Sequence, residues 1–205
     1  MTIAKLIQTV EQADSAEKLL EAVEALAAAR DEAAIPTLIE VLGFNNPGAA
    51  VAAVDGLIQL GEPVVPILLD RLDGYNYGAR AWATRVFAGI GDPIALDLLL
   101  RAASGDFSLS VRRAAARGLG SILWHKLPQP QRREAQTRVL KTLLQVLDDP
   151  EWVVRYAGCV GLQNLGETIP EFINDIAQIL NRVIATESEL VLRARAQIAL
   201  NQLGR

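Results

Sequence analysis

Apolar residues at Trp82, Ala83, Val86, Phe87 and Ile90 follow the spacing of one buried helical face, and the pattern stops at Gly91-Asp92-Pro93. The period predicts a helix that begins after the turn-like Asp73-Gly74 and two tyrosines. Asp92 is placed to cap the next helix, with Pro93 as its first residue. The resulting unit is helix, tight turn, helix.

That unit recurs. From Arg80, Phe87 lies seven residues on, Ile90 ten and Gly91 eleven. The same offsets lead from Arg155 to Leu162, Leu165 and Gly166, from Arg193 to Leu200, Leu203 and Gly204, and from Ala50 to Leu57, Leu60 and Gly61. Arg112 reaches Leu119 and Ile122 without the final glycine, and a weaker copy runs from Leu19 to Leu26 and Ala29. The marks stand 31, 30, 32, 43 and 38 residues apart, which is the spacing of a repeat array. Each copy but the last is followed by a second apolar stretch: Ile35 to Leu42, Val64 to Leu72, Ile94 to Ala102, Arg138 to Leu147 and Phe172 to Ile184. No run alternates with period two for long enough to predict a strand. The expectation is a single all-α domain over residues 1–205, an α-solenoid of about five to six helical hairpins wound into a right-handed superhelix. Helices near each terminus, from about Thr2 to Val10 and ending at Gly204-Arg205, would cap or extend it. Small residues at facing positions let neighbouring helices approach closely. The segment from Asp149 through Trp152 and Arg155 to Gly166 resembles the first helix of a HEAT repeat.

Composition narrows the function. Apolar residues make up 51% and charged residues 21% of 205, so a folded core is expected. Twenty basic against 24 acidic residues give a net charge of −4 with no basic block, which argues against a nucleic-acid surface. No apolar run approaches the ~20 residues that cross a bilayer, and no signal segment follows Met1, so a cytosolic protein without an integral membrane segment is expected. The single cysteine, Cys159, excludes an internal disulfide. It lies on an apolar helix and reads as a buried small side chain. The lone histidine, His125, has no metal-ligand spacing to Cys159 and no adjacent carboxylate, so no metal site or nucleophilic triad assembles.

Two places interrupt the rhythm. An insertion from Ser121 to Gln131 lengthens the fourth copy, and such insertions often carry contacts. Trp124 and His125 either form a contact surface there or, for the tryptophan, bury against the next repeat. The other interruption is Gly74-Tyr75-Asn76-Tyr77-Gly78. Arg80, Arg112, Arg155 and Arg193 share one repeat position, where they either form a ladder with acidic neighbours and helix ends or present a groove to an anion. Tyr77, Arg80 and Thr84 fall on one stripe of their helix, away from the expected core face of Trp82, Val86 and Phe87.

The string Tyr75-Asn-Tyr-Gly-Ala-Arg-Ala-Trp-Ala-Thr-Arg, with Gly89-Ile-Gly-Asp-Pro after it, resembles the F-type subunit of the heterodimeric phycocyanobilin lyase. The likeness extends through Ser110 to Gly120 and Leu147-Asp-Asp-Pro to about Gly166. It implies a HEAT-like lyase subunit of the cyanobacterial cytosol that, with an E-type partner, attaches phycocyanobilin to a cysteine of the phycocyanin alpha subunit. The pigment is then a substrate, with no permanently bound cofactor. The client supplies the thiolate, leaving the lyase to hold the bilin and assist proton transfer. Under that reading Arg80 and Arg112 suit the propionates, and Tyr75, Tyr77 and Trp124 suit the rings. Asp92 or Asp106 suits the pyrrole N–H groups, and Asp92 and Tyr77 are the candidate proton donors. Plain attachment is expected rather than isomerisation, since no added histidine and cysteine motif appears. The rival reading is a non-enzymatic HEAT adaptor, for example in phycobilisome turnover.

Overall fold

The structure, a computed structural model, describes residues 1–71 and 77–205, with the side chain of Tyr77 outside the description. Twelve α-helices and several short 3-10 turns occur among the described residues, with no strand. Two compact units divide the chain at Ile90 and Gly91.

The first unit contains α1 (Ile3–Glu11), α2 (Ala16–Ala28), α3 (Ile35–Val41), α4 (Pro47–Leu60), α5 (Val64–Arg71) and α6 (Tyr77–Ile90). The repeat marks Leu19, Ala50 and Arg80 fall on α2, α4 and α6, and α4 packs between the other two. Small residues set the spacing. A methyl added to Gly56 would stand 2.6 Å from Ala27 Cβ, and one added to Gly89 would stand 2.3 Å from Ile58. Starts are capped: Ser15 Oγ accepts from Lys18 N–H, and Asn46 Oδ1 accepts from Ala49 N–H. Leu26, Leu38, Ile39, Leu57, Leu68 and Phe87 fill the core.

The second unit contains α7 (Leu96–Gly105), α8 (Leu109–Leu119), α9 (Gln129–Val146), α10 (Trp152–Thr168), α11 (Ile173–Thr186) and α12 (Leu190–Gln202). Arg112, Arg155 and Arg193 mark α8, α10 and α12, with α10 packed between its two neighbours. The α8–α10 crossing is tight enough that a Gly161 methyl would lie 2.5 Å from the Ala116 carbonyl oxygen. The glycine at the end of the repeat does different jobs in different copies. Gly91 turns the chain with φ 70°, and its carbonyl accepts from Leu123 N–H. Gly166 stays helical, because α10 runs on to Thr168, and packs instead against Leu203. The insertion folds as a 3-10 turn, Trp124–Lys126, and its last residues, from Gln129, already belong to α9.

Candidate functional site

The arginine marks of the second unit form a ladder. Arg112 Nε and Nη2 donate to the two Asp149 oxygens at 2.6 and 3.1 Å, while Nη1 donates to the Asp106 and Phe107 carbonyls. One repeat later, Arg155 grips Glu187 with bonds of 2.8 and 2.9 Å and reaches back to the Asp149 and Pro150 carbonyls. Arg193 closes the series on the Glu187 and Ser188 carbonyls. The spacing explains this: in each copy the arginine reaches carbonyls six and five residues before it, at the mouth of its own helix. Both ion pairs are largely shielded from water. The Arg155 hydrogen bond, against the opposing effect of burial, holds the Glu187 carboxyl at about 2. Burial pushes Asp149 up, but the Arg112 bond and the Glu151 backbone N–H outweigh it and leave the carboxyl below its ordinary value. Arg112, expected to meet a propionate, is thus tied up in this bidentate pair.

Asp92 and the Trp124 turn come together. The Asp92 carboxylate, 5% exposed, accepts from Ile94 N–H at 2.9 Å as a cap and pairs with Lys126 at 3.2 Å. Trp124 is buried at 9% exposure, and its indole N–H has no hydrogen-bond partner among the described residues. The inserted tryptophan therefore buries itself. His125 is exposed, and its carbonyl accepts from Arg132.

A different constellation surrounds the motif string in the first unit. Leu42 to Pro47 and Gly78, Ala79 and Trp82 line a cleft of about 360 Å³. Phe44 is half exposed there, and Trp82, expected in the core, is only partly buried, with the Arg85 guanidinium 4.4 Å from its ring centre. Two aromatic faces and a stacked cation suit a planar conjugated ligand. Trp82 lies in the first turns of α6, on the side that lines the cleft with the α3–α4 link, which accounts for its partial exposure. Arg80 is partly exposed on the same helix and its carbonyl accepts the Thr84 hydroxyl at 2.7 Å. Thr84 is buried, so the expected Tyr77–Arg80–Thr84 stripe does not open toward a groove at its far end. Tyr75 and the Tyr77 ring lie outside the described residues. Sequence reasoning missed Phe44 and Arg85; the signal for Phe44 was a lone aromatic in the polar link before the Asn45-Asn46-Pro47 turn.

No group of His, Cys, Asp and Glu suited to a metal occurs among the described residues. Cys159 is fully buried, and burial pushes its thiol up to about 12. Among the described residues no helix is long and apolar enough to cross a membrane.

Residues 3–88 and 65–135 match the HEAT repeats family. A phycocyanin alpha phycocyanobilin lyase, CpcF, of Synechocystis sp. (strain ATCC 27184 / PCC 6803 / Kazusa) is 53% identical over 98% of this chain and 94% of its own. A phycobilisome maturation protein of Synechococcus elongatus (strain ATCC 33912 / PCC 7942 / FACHB-805) is 55% identical over 98% and 97% respectively. The solved complex of CpcE and CpcF of phycocyanin lyase from Nostoc sp. PCC7120 contains a chain that superposes with a TM-score of 0.77 at 51% identity, covering 82% of this chain and 99% of that one.

Proposed function

Because the chain belongs to the F-type family of phycocyanobilin lyase subunits, we infer that it acts with an E-type partner to attach phycocyanobilin to a cysteine of the phycocyanin alpha subunit. The identity over nearly the whole chain carries this reading. The chemistry fits what the chain offers. The client thiol adds across the bilin's exocyclic double bond: sulfur bonds to the ethylidene carbon and a proton goes to the adjoining ring carbon. Nothing is left over. Cys159, sealed and held as a thiol, is unsuited to act as nucleophile. The subunit's work is then to hold the pigment in one geometry and deliver a proton.

We place the pigment at the first unit's cleft, with Phe44 and Trp82 on its rings. Tyr75 and Tyr77 stand shortly before Gly78 in sequence, and their rings are assigned to the pigment as well. Arg80 is assigned to a propionate. Tyr77 is preferred as proton donor over Asp92, whose carboxylate already serves Lys126 and the Ile94 N–H. Phycocyanobilin is substrate here, no resident cofactor is invoked, and the site of action is the cytosol beside phycobilisomes. The test is direct. Purified chain, E-type partner, pigment and apo-phycocyanin alpha subunit are mixed, and a coloured adduct that survives denaturation is expected only when both subunits are present. An adaptor would leave the pigment's absorption unchanged and yield no adduct.

A further inference from the structure

Arg195 is the one guanidinium of the second unit that is nearly buried without a carboxylate partner among the described residues. Only 8% of it is exposed. It projects from α12 onto α10, where Nη2 donates to Gln163 Oε1 and the guanidinium lies 6.0 Å from the Tyr156 ring centre. Gln163 in turn donates to the Glu167 carboxylate at 2.6 Å, which fixes the amide with its oxygen toward the arginine. The compensating negative charge is therefore one side chain removed. Among the described residues the other guanidinium donors meet no acceptor, yet they are not sealed from solvent, since the Trp124 indole is the only fully enclosed side-chain polar atom left unpaired there. A buried cation with open donors favours an incoming carboxylate.

The surroundings are apolar and outward-facing. Trp152 precedes Tyr156 by one helical turn, and Val191 and Ile198 flank Arg195 by one turn on either side. Trp152 is 44% exposed, Val191 51% and Ile198 49%. The Arg155–Glu187 bond joins α10 to the mouth of α12, and the Arg195–Tyr156 contact joins the two helices further along, so these side chains stand on adjacent helices. A nearly desolvated arginine under a tyrosine, ringed by a tryptophan and aliphatic residues, has the composition of a protein–protein anchor.

We propose that this α10–α12 face docks the E-type partner subunit, which places a carboxylate on Arg195 from within an apolar segment. The proposal rests on the lyase reading for the partner's identity. Constant exposure of so many large apolar side chains favours a lasting partner over a passing client. The chain and its partner are titrated against each other without pigment, and the melting curve of each isolated variant is recorded. Trp152→Ala and Val191→Ser should each weaken association on the order of tenfold while leaving the melting temperature unchanged. Arg195→Gln should weaken it at least as much, and Arg195→Lys should restore part of the loss. Equal affinities for wild type and both surface variants would overturn the docking face, as would a wild-type chain that self-associates through Trp152 while its partner affinity ignores the change. The lyase reading fails separately, if the wild-type pair associates but attaches no pigment.

Discussion

Small residues set the helix spacing in both units, Gly56 against Ala27 in the first and Gly161 against Ala116 in the second, and the second adds shielded ion pairs at the marked position. In the second, the marked position is an arginine in every copy, and the guanidinium of Arg112 or Arg155 ties its own helix mouth to the next repeat through Asp149 or Glu187. In the first, the marks on α2 and α4 are Leu19 and Ala50, and register comes from small residues such as Gly56 against Ala27. Bidentate, shielded ion pairs fix one geometry, whereas the first unit carries a cleft between its α3–α4 link and α6. Phe44 and Trp82 line that cleft. The difference separates a charge-locked half from a half with room for a ligand.

The largest effect should come from breaking the ladder. Arg155→Ala leaves Glu187 shielded and without its guanidinium, which costs about 3 kcal/mol and lowers the melting temperature by roughly 10 °C. The pH dependence follows from Glu187. Its folded value of about 2 lies below the ordinary 4.5, so the folded state holds the proton less tightly than the unfolded chain. The stabilisation is complete above the ordinary value and is lost as pH falls from there toward the folded one. Glu187→Gln should flatten the acid limb of a melting-temperature profile between about pH 5 and pH 2. If the profile keeps its slope, the ladder is not what locks the second unit.

The opening in the first unit gives the next effect. Trp82→Ala and Arg80→Ala should each weaken pigment binding by roughly 1.5–3 kcal/mol, on the order of ten- to a hundredfold, with small changes in melting temperature. Arg80→Lys should recover only part of the loss, because a point charge replaces a fork. The measurement is attachment rate against bilin concentration with a melting curve for each variant. Arg80 is also the discriminating residue for the comparison, since it occupies the mark that carries the ladder in the second unit. Should Arg80→Ala lower the melting temperature as Arg155→Ala does while the folded fraction attaches bilin normally, the ladder continues into the first unit and the contrast dissolves.

The helical repeat was legible because period, turn and glycine signals agree at most copies, and the marks fell on α2, α4, α6, α8, α10 and α12. Asp92 as a cap was legible for the same local reason. The ladder was legible only as one of two alternatives. A shared arginine position is visible in sequence, but whether it meets an anion or an acidic neighbour depends on which carboxylate the next repeat brings within reach, 37 residues on for Arg112 and 32 for Arg155. Trp82 misled because helical period assigns a face without saying how much of that face a neighbour covers. Phe44 and Arg195 were hidden for a related reason. Phe44 stands in a linker with no period, and Arg195 is indistinguishable from a solvated cation until α10 is packed over it.

The smallest effect should come from Cys159, which tests the claim that the second unit contributes no nucleophile. Burial among α10 residues raises its thiol to about 12, so near pH 8 only about one molecule in ten thousand carries the thiolate. Cys159→Ala should leave the attachment rate unchanged, and alkylating reagents should spare the native thiol until the unit opens. Because the folded value lies above the unfolded value near 9, the buried thiol contributes stability that is present below the unfolded value and lost as pH rises toward the folded one. The alanine variant should therefore lose about 1 kcal/mol at neutral pH from the smaller side chain, yet show a shallower decline at alkaline pH. A variant that keeps its fold but attaches bilin tenfold more slowly would place a reacting thiol in the second unit and reverse the division between the two halves.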